Sequence, residues 1–110
     1  MEELKNKRCE PCEGGIAPLK REEFSVYLDQ VSDWNFADND TKMEREIEFK
    51  DFKSAIDFIN RVGDVAEEEG HHPNIYLHSW NKVKITLYTH AIGGLSINDF
   101  VCAVKFDTQI

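Results

Sequence analysis

From Lys42 to Phe49 the side chains alternate without a break. Met43, Arg45, Ile47 and Phe49 fall on one side; Lys42, Glu44, Glu46 and Glu48 fall on the other. A period of two is what a half-buried β-strand requires, because successive Cβ atoms point to opposite faces of the pleat. The same period returns from Val83 to His90, where Val83, Ile85, Leu87 and Thr89 oppose Lys84, Thr86, Tyr88 and His90. Two strands of this kind need helices to cover their apolar side.

The helices are legible between and around them. From Asp51 to Glu69, Phe52, Ala55, Ile56, Ile59, Val62 and Ala66 follow the three-four spacing, with Phe58 and Val65 widening the stripe. Gly70 can take the left-handed conformation that stops a helix. A first helix is predicted over Pro18–Val31, with Leu19, Phe24, Tyr27, Leu28 and Val31 on its apolar side. A third starts after Gly93-Gly94, with Ser96 as N-cap, Asp99 as the capping-box acid, and Leu95 and Phe100 at the staple positions. Asp33, Trp34 and Phe36 lead into a short strand joined to Lys42–Phe49 by the turn-forming residues 37–40. Ile75–Trp80 is a further strand, with Asn81-Lys82 as its tight connection to the last. Arg45 interrupts the apolar row of Lys42–Phe49 and places that strand near a sheet edge. The expected architecture is α+β, in the order helix, hairpin, helix, hairpin, helix: a four-stranded antiparallel sheet with helices on one face. Residues 1–17 read as an N-terminal arm and residues 18–110 as a single domain.

At 110 residues one core is expected, burying about two-thirds of the surface of the unfolded chain. A net charge of −8 argues against direct nucleic-acid binding, which needs a basic face. Nothing approaches a membrane span, and residues 1–20 lack an apolar signal core, so a cytoplasmic protein is expected. Cys9 and Cys12 form a CxxC, but no second pair completes a zinc set. They read as ordinary thiols in a mobile or lightly docked arm.

All four histidines lie between residues 71 and 90. His71 and His72 follow the helix stop, and Pro73 restrains His72 to an extended conformation. His90 closes the last strand on its polar face. Glu67, Glu68 and Glu69 crowd the helix C-terminus, where the macrodipole prefers cations. Imidazoles titrate near neutral pH, so two or three in one cleft can hold one protonated and another neutral. An elimination of water needs that pair: an acid for the departing hydroxide and a base for the neighbouring proton.

The segments EEEGHHP, WNKVKITLYTH and GGLSINDF, in this order and spacing, resemble the pterin-4a-carbinolamine dehydratase family over roughly residues 18–106. The CEPCEGG arm is similar to that of some bacterial and plant members. The resemblance implies dehydration of 4a-hydroxytetrahydropterin to quinonoid dihydropterin and water, in tetrahydrobiopterin recycling, with no metal and no cofactor. It implies His71, His72 and His90 as active-site histidines, Glu67 as the acid beside them, Asp99 as the acid after the Gly-Leu-Ser turn, and Trp34 as an aromatic near the pterin pocket. His71 and His90 are the expected acid/base pair, His72 binds the polar edge of the pterin, and Glu67 orients an imidazole. It also implies a homodimer or homotetramer. Against these stand plainer readings: His78 as a structural group, Asp99 as a capping acid only, Trp34 and Trp80 as core or interface aromatics, Glu68 and Glu69 as solvated charges. Two other function classes are a histidine metal site and an interaction protein serving as a dimerisation or transcriptional cofactor.

Overall fold

The alternating runs form the middle of the sheet. The structure, a computed structural model, describes residues 3–10 and 14–110. Its elements are α1 (Arg21–Phe24), β1 (Asn35–Ala37), β2 (Lys42–Glu48), α2 (Phe52–Glu69), β3 (Asn74–His78), β4 (Lys82–Leu87) and α3 (Ile97–Asp107), with 3-10 segments at Leu4–Asn6, Ser25–Val31 and His90–Ile92. The sheet is antiparallel throughout, in the order β1-β2-β4-β3. The two hairpins are therefore sewn together by β2 and β4, whose register pairs Met43 with Leu87 and Ile47 with Val83. Met43, Val83, Ile85 and Leu87 are buried beneath Ala55, Phe58, Val62 and Ala66 of α2 and Phe100, Ala103 and Phe106 of α3. The opposite sheet face keeps its charges in ion pairs, Lys84 with Glu44 at 3.2 Å and Lys82 with Glu48 at 3.9 Å. His78 Nε2 donates to the Glu46 carboxylate on that face.

Several local expectations are corrected. Only Arg21–Phe24 of the first helix is α; Ser25–Val31 tightens to 3-10. The Ser25 hydroxyl donates to the Glu22 carbonyl, and Val26 and Val31 carry branched Cβ atoms, both of which weaken an α-helical ladder. β2 is not an edge strand. Arg45 interrupts its apolar row because its guanidinium reaches Asp107 at 2.7 Å, at the far end of α3. The β3–β4 turn is made by Ser79 and Trp80, both at positive φ (50° and 58°), rather than by Asn81-Lys82. Asn81 is buried there, and its amide donates to the Phe49 carbonyl at 2.9 Å. Asp38, Asn39 and Asp40 do take left-handed φ, as turn residues of their type tolerate.

Residues 3–10 are more firmly held than a lightly docked arm. Leu4 is fully buried in the core. The Cys9 amide donates to Glu69 Oε1 at 2.8 Å, and the side chain of Asn98 both accepts from the Glu10 amide (3.0 Å) and donates to the Glu10 carbonyl (2.6 Å). Glu69 is thus no solvated charge. Its side chain is 3% exposed and also receives Lys105 Nζ at 2.7 Å. Burial opposes its ionisation, but the bonds from Lys105 and the Cys9 amide outweigh it, so the carboxyl titrates below its usual range. Cys12 lies outside the described residues. Cys9 Sγ sits 3.5 Å from Cys102 Sγ, and contact with that sulfur together with burial pushes the Cys102 thiol up. Further along, Gly94 has no room for a Cβ, which would meet the Pro18 ring at 2.6 Å; the close approach lets the Leu19 amide bond the Leu95 carbonyl at 2.8 Å.

Candidate active site

Two chain reversals bring the histidines together. At the end of α2, Gly70 takes φ 67° and closes on the Ala66 carbonyl, which also accepts the His71 amide at 3.2 Å. This doubly bonded stop turns His71 back toward the first turn of α3. The second reversal follows β4. The strand ends at Leu87, Thr89 forms an isolated bridge to Gly94, and His90 opens a 3-10 turn ended by Gly93 at φ 66°. His90 is therefore the first residue of a turn rather than the last of a strand, and it is exposed.

Behind His71 lies a wholly buried carboxylate. Asp99 is 0% exposed, and its Oδ1 lies 2.6 Å from His71 Nε2. Its Oδ2 accepts from the Thr89 hydroxyl at 2.8 Å and from the Ser96 amide at 3.0 Å. The Thr89 hydroxyl, having given its proton to Asp99, accepts from Ser96 Oγ at 2.8 Å. An ionised carboxylate can only accept, so His71 Nε2 must carry the hydrogen and Nδ1 is the nitrogen with a free lone pair. The capping acid thus also sets a tautomer. His72 Nε2 lies 2.6 Å from Glu67 Oε2, with both side chains exposed. Glu67 accordingly orients His72. The ring of His90 leans on Tyr88, with centroids 4.2 Å apart, and neither of its nitrogens has a hydrogen-bond partner among the described residues.

His71, His72 and His90 line one cavity of about 280 Å³, together with Gly70, Tyr88, Thr89, Glu10 and Asn98. That volume is at the small end of ligand-binding cavities. A larger depression of about 370 Å³ near residues 17–22 and 39–41 contains no histidine, and its Arg21 and Asp40 are spent on each other at 2.8 Å. Trp34 does not line the histidine cavity. It is buried, and its indole N–H donates to both carboxylate oxygens of Asp107, at 3.0 and 3.1 Å. Burial pushes the Asp107 carboxyl up, against the bonds from Arg45 and Trp34. No group of three or more His, Cys, Asp or Glu side chains among the described residues converges as a metal ion would require.

Sequence reasoning did not single out Thr89, Ser96 and Asn98 as a support network, nor Glu10 as a wall of the cavity. Thr89 did carry a signal, since it falls on the apolar side of its strand, where a hydroxyl needs a buried partner. Glu10 carried none, because its position depends on a tertiary clamp.

Residues 17–109 match the family described as Pterin 4 alpha carbinolamine dehydratase. The chain is 48% identical over its whole length to a protein of Chlorobaculum tepidum, also covered whole, that is named provisionally as a pterin-4-alpha-carbinolamine dehydratase. It is 43% identical to pterin-4-alpha-carbinolamine dehydratase 2, mitochondrial, of Arabidopsis thaliana, covering 97% of this chain and 59% of that one. A crystal structure of a transcriptional coactivator/pterin dehydratase from Brucella melitensis superposes with a TM-score of 0.76 at 29% identity, covering 84% of this chain and 97% of that one.

Proposed function

The chain belongs to the pterin-4a-carbinolamine dehydratase family, and from that premise we propose that it dehydrates 4a-hydroxytetrahydropterin by proton transfer through His71 and His90. The observation that carries this reading is the shared cavity: three histidines line one small space, and one of them is backed by a buried carboxylate. In the reaction the C4a–O bond breaks and its electron pair leaves with the oxygen, which takes a proton from an imidazolium and departs as water. The neighbouring N5–H gives its proton to a neutral imidazole, and that electron pair becomes the new C4a=N5 bond of the quinonoid dihydropterin. His71 suits the accepting role. Its Nδ1 is the basic nitrogen, and Asp99 stabilises the imidazolium that forms, as a carboxylate behind a catalytic imidazole does elsewhere. His90, exposed and without a hydrogen-bonded partner among the described residues, is free to bring the other proton. The two exchange roles according to which face of the ring carries the hydroxyl. His72, held by Glu67, contacts the polar edge of the pterin.

No helix among the described residues is long and apolar enough to cross a membrane. A cytoplasmic enzyme of tetrahydrobiopterin recycling belongs to the same reading, as does self-association into a dimer or tetramer. For the latter, β3 offers an unpaired edge beside exposed Tyr76 and Trp80. The name of the Brucella relative supports a second reading, in which the chain also serves as a protein cofactor in transcription.

The test is spectroscopic. Loss of 4a-hydroxytetrahydropterin is followed with wild type, His71→Ala and His90→Ala. Wild type should accelerate the loss, and each variant should lower turnover by about 10²–10⁴. No acceleration by wild type would sink the dehydratase, and near-normal turnover in both variants would remove the histidines from the chemistry.

A further inference from the structure

We infer that Glu10 is a substrate-binding residue, supplied by the N-terminal segment to grip the two parallel N–H donors of the aminopyrimidinone ring; this rests on the pterin reading above. Its position is built rather than incidental. Two buried polar side chains direct their hydrogen bonds at the backbone of residues 9 and 10. Glu69, its side chain 3% exposed, accepts from the Cys9 amide. Asn98, 5% exposed, makes a reciprocal pair with the amide and carbonyl of Glu10. Were the segment to swing away, Asn98 would be left with an unpaired donor and acceptor, at a cost comparable to two lost hydrogen bonds. The segment is a wall of the histidine cavity, and Asn98 is its positioning residue.

The chemistry of the lining then singles out Glu10. A 2-amino-4-oxopyrimidine ring presents its amino group and its N3–H side by side, a donor pair shaped like the edge of a guanidinium. A carboxylate accepts such a pair through both oxygens. Glu10 is the one acidic residue among those that line the cavity, beside three histidines, a tyrosine, a threonine and an asparagine, and it also borders the neighbouring depression at residues 6–8 and 97. Asp99 is sealed behind His71, and Glu67 is engaged by His72. No hydrogen bond or ion pair engages the Glu10 carboxylate among the described residues. His72 can serve the ring's acceptors but cannot take two donors at once.

The experiment compares wild type, Glu10→Gln and Asn98→Ala in the dehydration assay, and titrates each with 7,8-dihydropterin and with its N2,N2-dimethyl analogue, which lacks the amino donors. Glu10 is exposed, so the Gln variant should fold as wild type does. Glu10→Gln should raise KM about tenfold, the size expected for a charge-assisted pair, with kcat within about twofold. It should weaken dihydropterin by a similar factor and abolish the preference over the dimethyl analogue. Asn98→Ala should raise KM similarly, and the double variant no further, because both act through one contact. Unchanged KM and unchanged discrimination in Glu10→Gln overturn the inference while leaving an active dehydratase intact. Binding of dihydropterin that Glu10→Gln weakens, without turnover in any form, overturns the dehydratase reading and upholds the Glu10 contact. Failure of wild type to bind dihydropterin overturns both.

Discussion

The two ends of α3 each hold a carboxylate against a ring N–H, and the donors make the ends different. At the N-terminal end Asp99 meets His71, Thr89 and the Ser96 amide. At the C-terminal end Asp107 meets Trp34 and Arg45. An indole N–H and a guanidinium hold their hydrogens at every working pH, so the Asp107 cluster can fix geometry but cannot pass a proton. An imidazole carries a second nitrogen that can take up or release a proton, so on the proposed reading the same kind of buried carboxylate becomes the back of an acid/base group. The ends lie about 12 Å apart along the helix, at the usual rise per residue. On that reading one helix anchors a scaffold at one end and backs a proton-transfer group at the other, and the partner residues decide which end does which.

Isosteric substitution at both ends puts the comparison at risk. Asp99→Asn should lower kcat by at least about 10²-fold, since the amide can donate to Nε2 and favour the wrong tautomer of His71. Asp107→Asn should leave kcat within about twofold while lowering stability by about 1–3 kcal/mol, the scale for weakening a hydrogen bond to a charged partner. Steady-state kinetics beside urea unfolding measures both. A large loss of kcat from Asp107→Asn would show that the two ends are coupled and defeat the division. Next in size is Trp34→Phe, which keeps the ring and removes the N–H. It should cost about 1 kcal/mol of stability and leave KM for the pterin unchanged; a KM raised severalfold would return Trp34 to the substrate site.

The same contrast explains what could be read from the chain. Periodicity located β2, α2, β4 and α3 to within a few residues, because each buries one face and the pattern of burial is written in the residue types. Asp99 as capping acid was legible from Ser96 three residues earlier, since the capping box is a local interaction. That Asp99 also backs His71 was not, because it joins residues 28 apart through a reversal at Gly70. Arg45 misled for the same reason. A charge in an apolar row looks like an edge until the Asp107 carboxylate is found above it. The docked N-terminal segment was the least legible, being held by backbone amides whose partners, Glu69 and Asn98, look like ordinary surface residues in sequence.

The smallest predicted effect lies at that segment and depends on pH. The Glu69 carboxyl titrates below its usual range in the folded protein because Lys105 and the Cys9 amide bond its charged form more strongly than burial opposes it. A folded pKa below the unfolded one means that the unfolded chain binds the proton more readily, so stability from this group rises with pH. The contribution is present above the unfolded carboxylate pKa and is lost as pH falls through the folded one. Glu69→Gln resembles the protonated form at every pH. At pH 7 the variant should therefore be less stable than wild type by about 1 kcal/mol, and the Cys9 and Glu10 amides should exchange hydrogen faster. The two proteins should converge as the pH drops through the acid range, while Asp107→Asn shows no such loss of segment protection. A Glu69→Gln difference that persists undiminished in acid would mean that the segment is held by shape and Asn98 alone. The wall of the cavity would then be indifferent to the charge on α2.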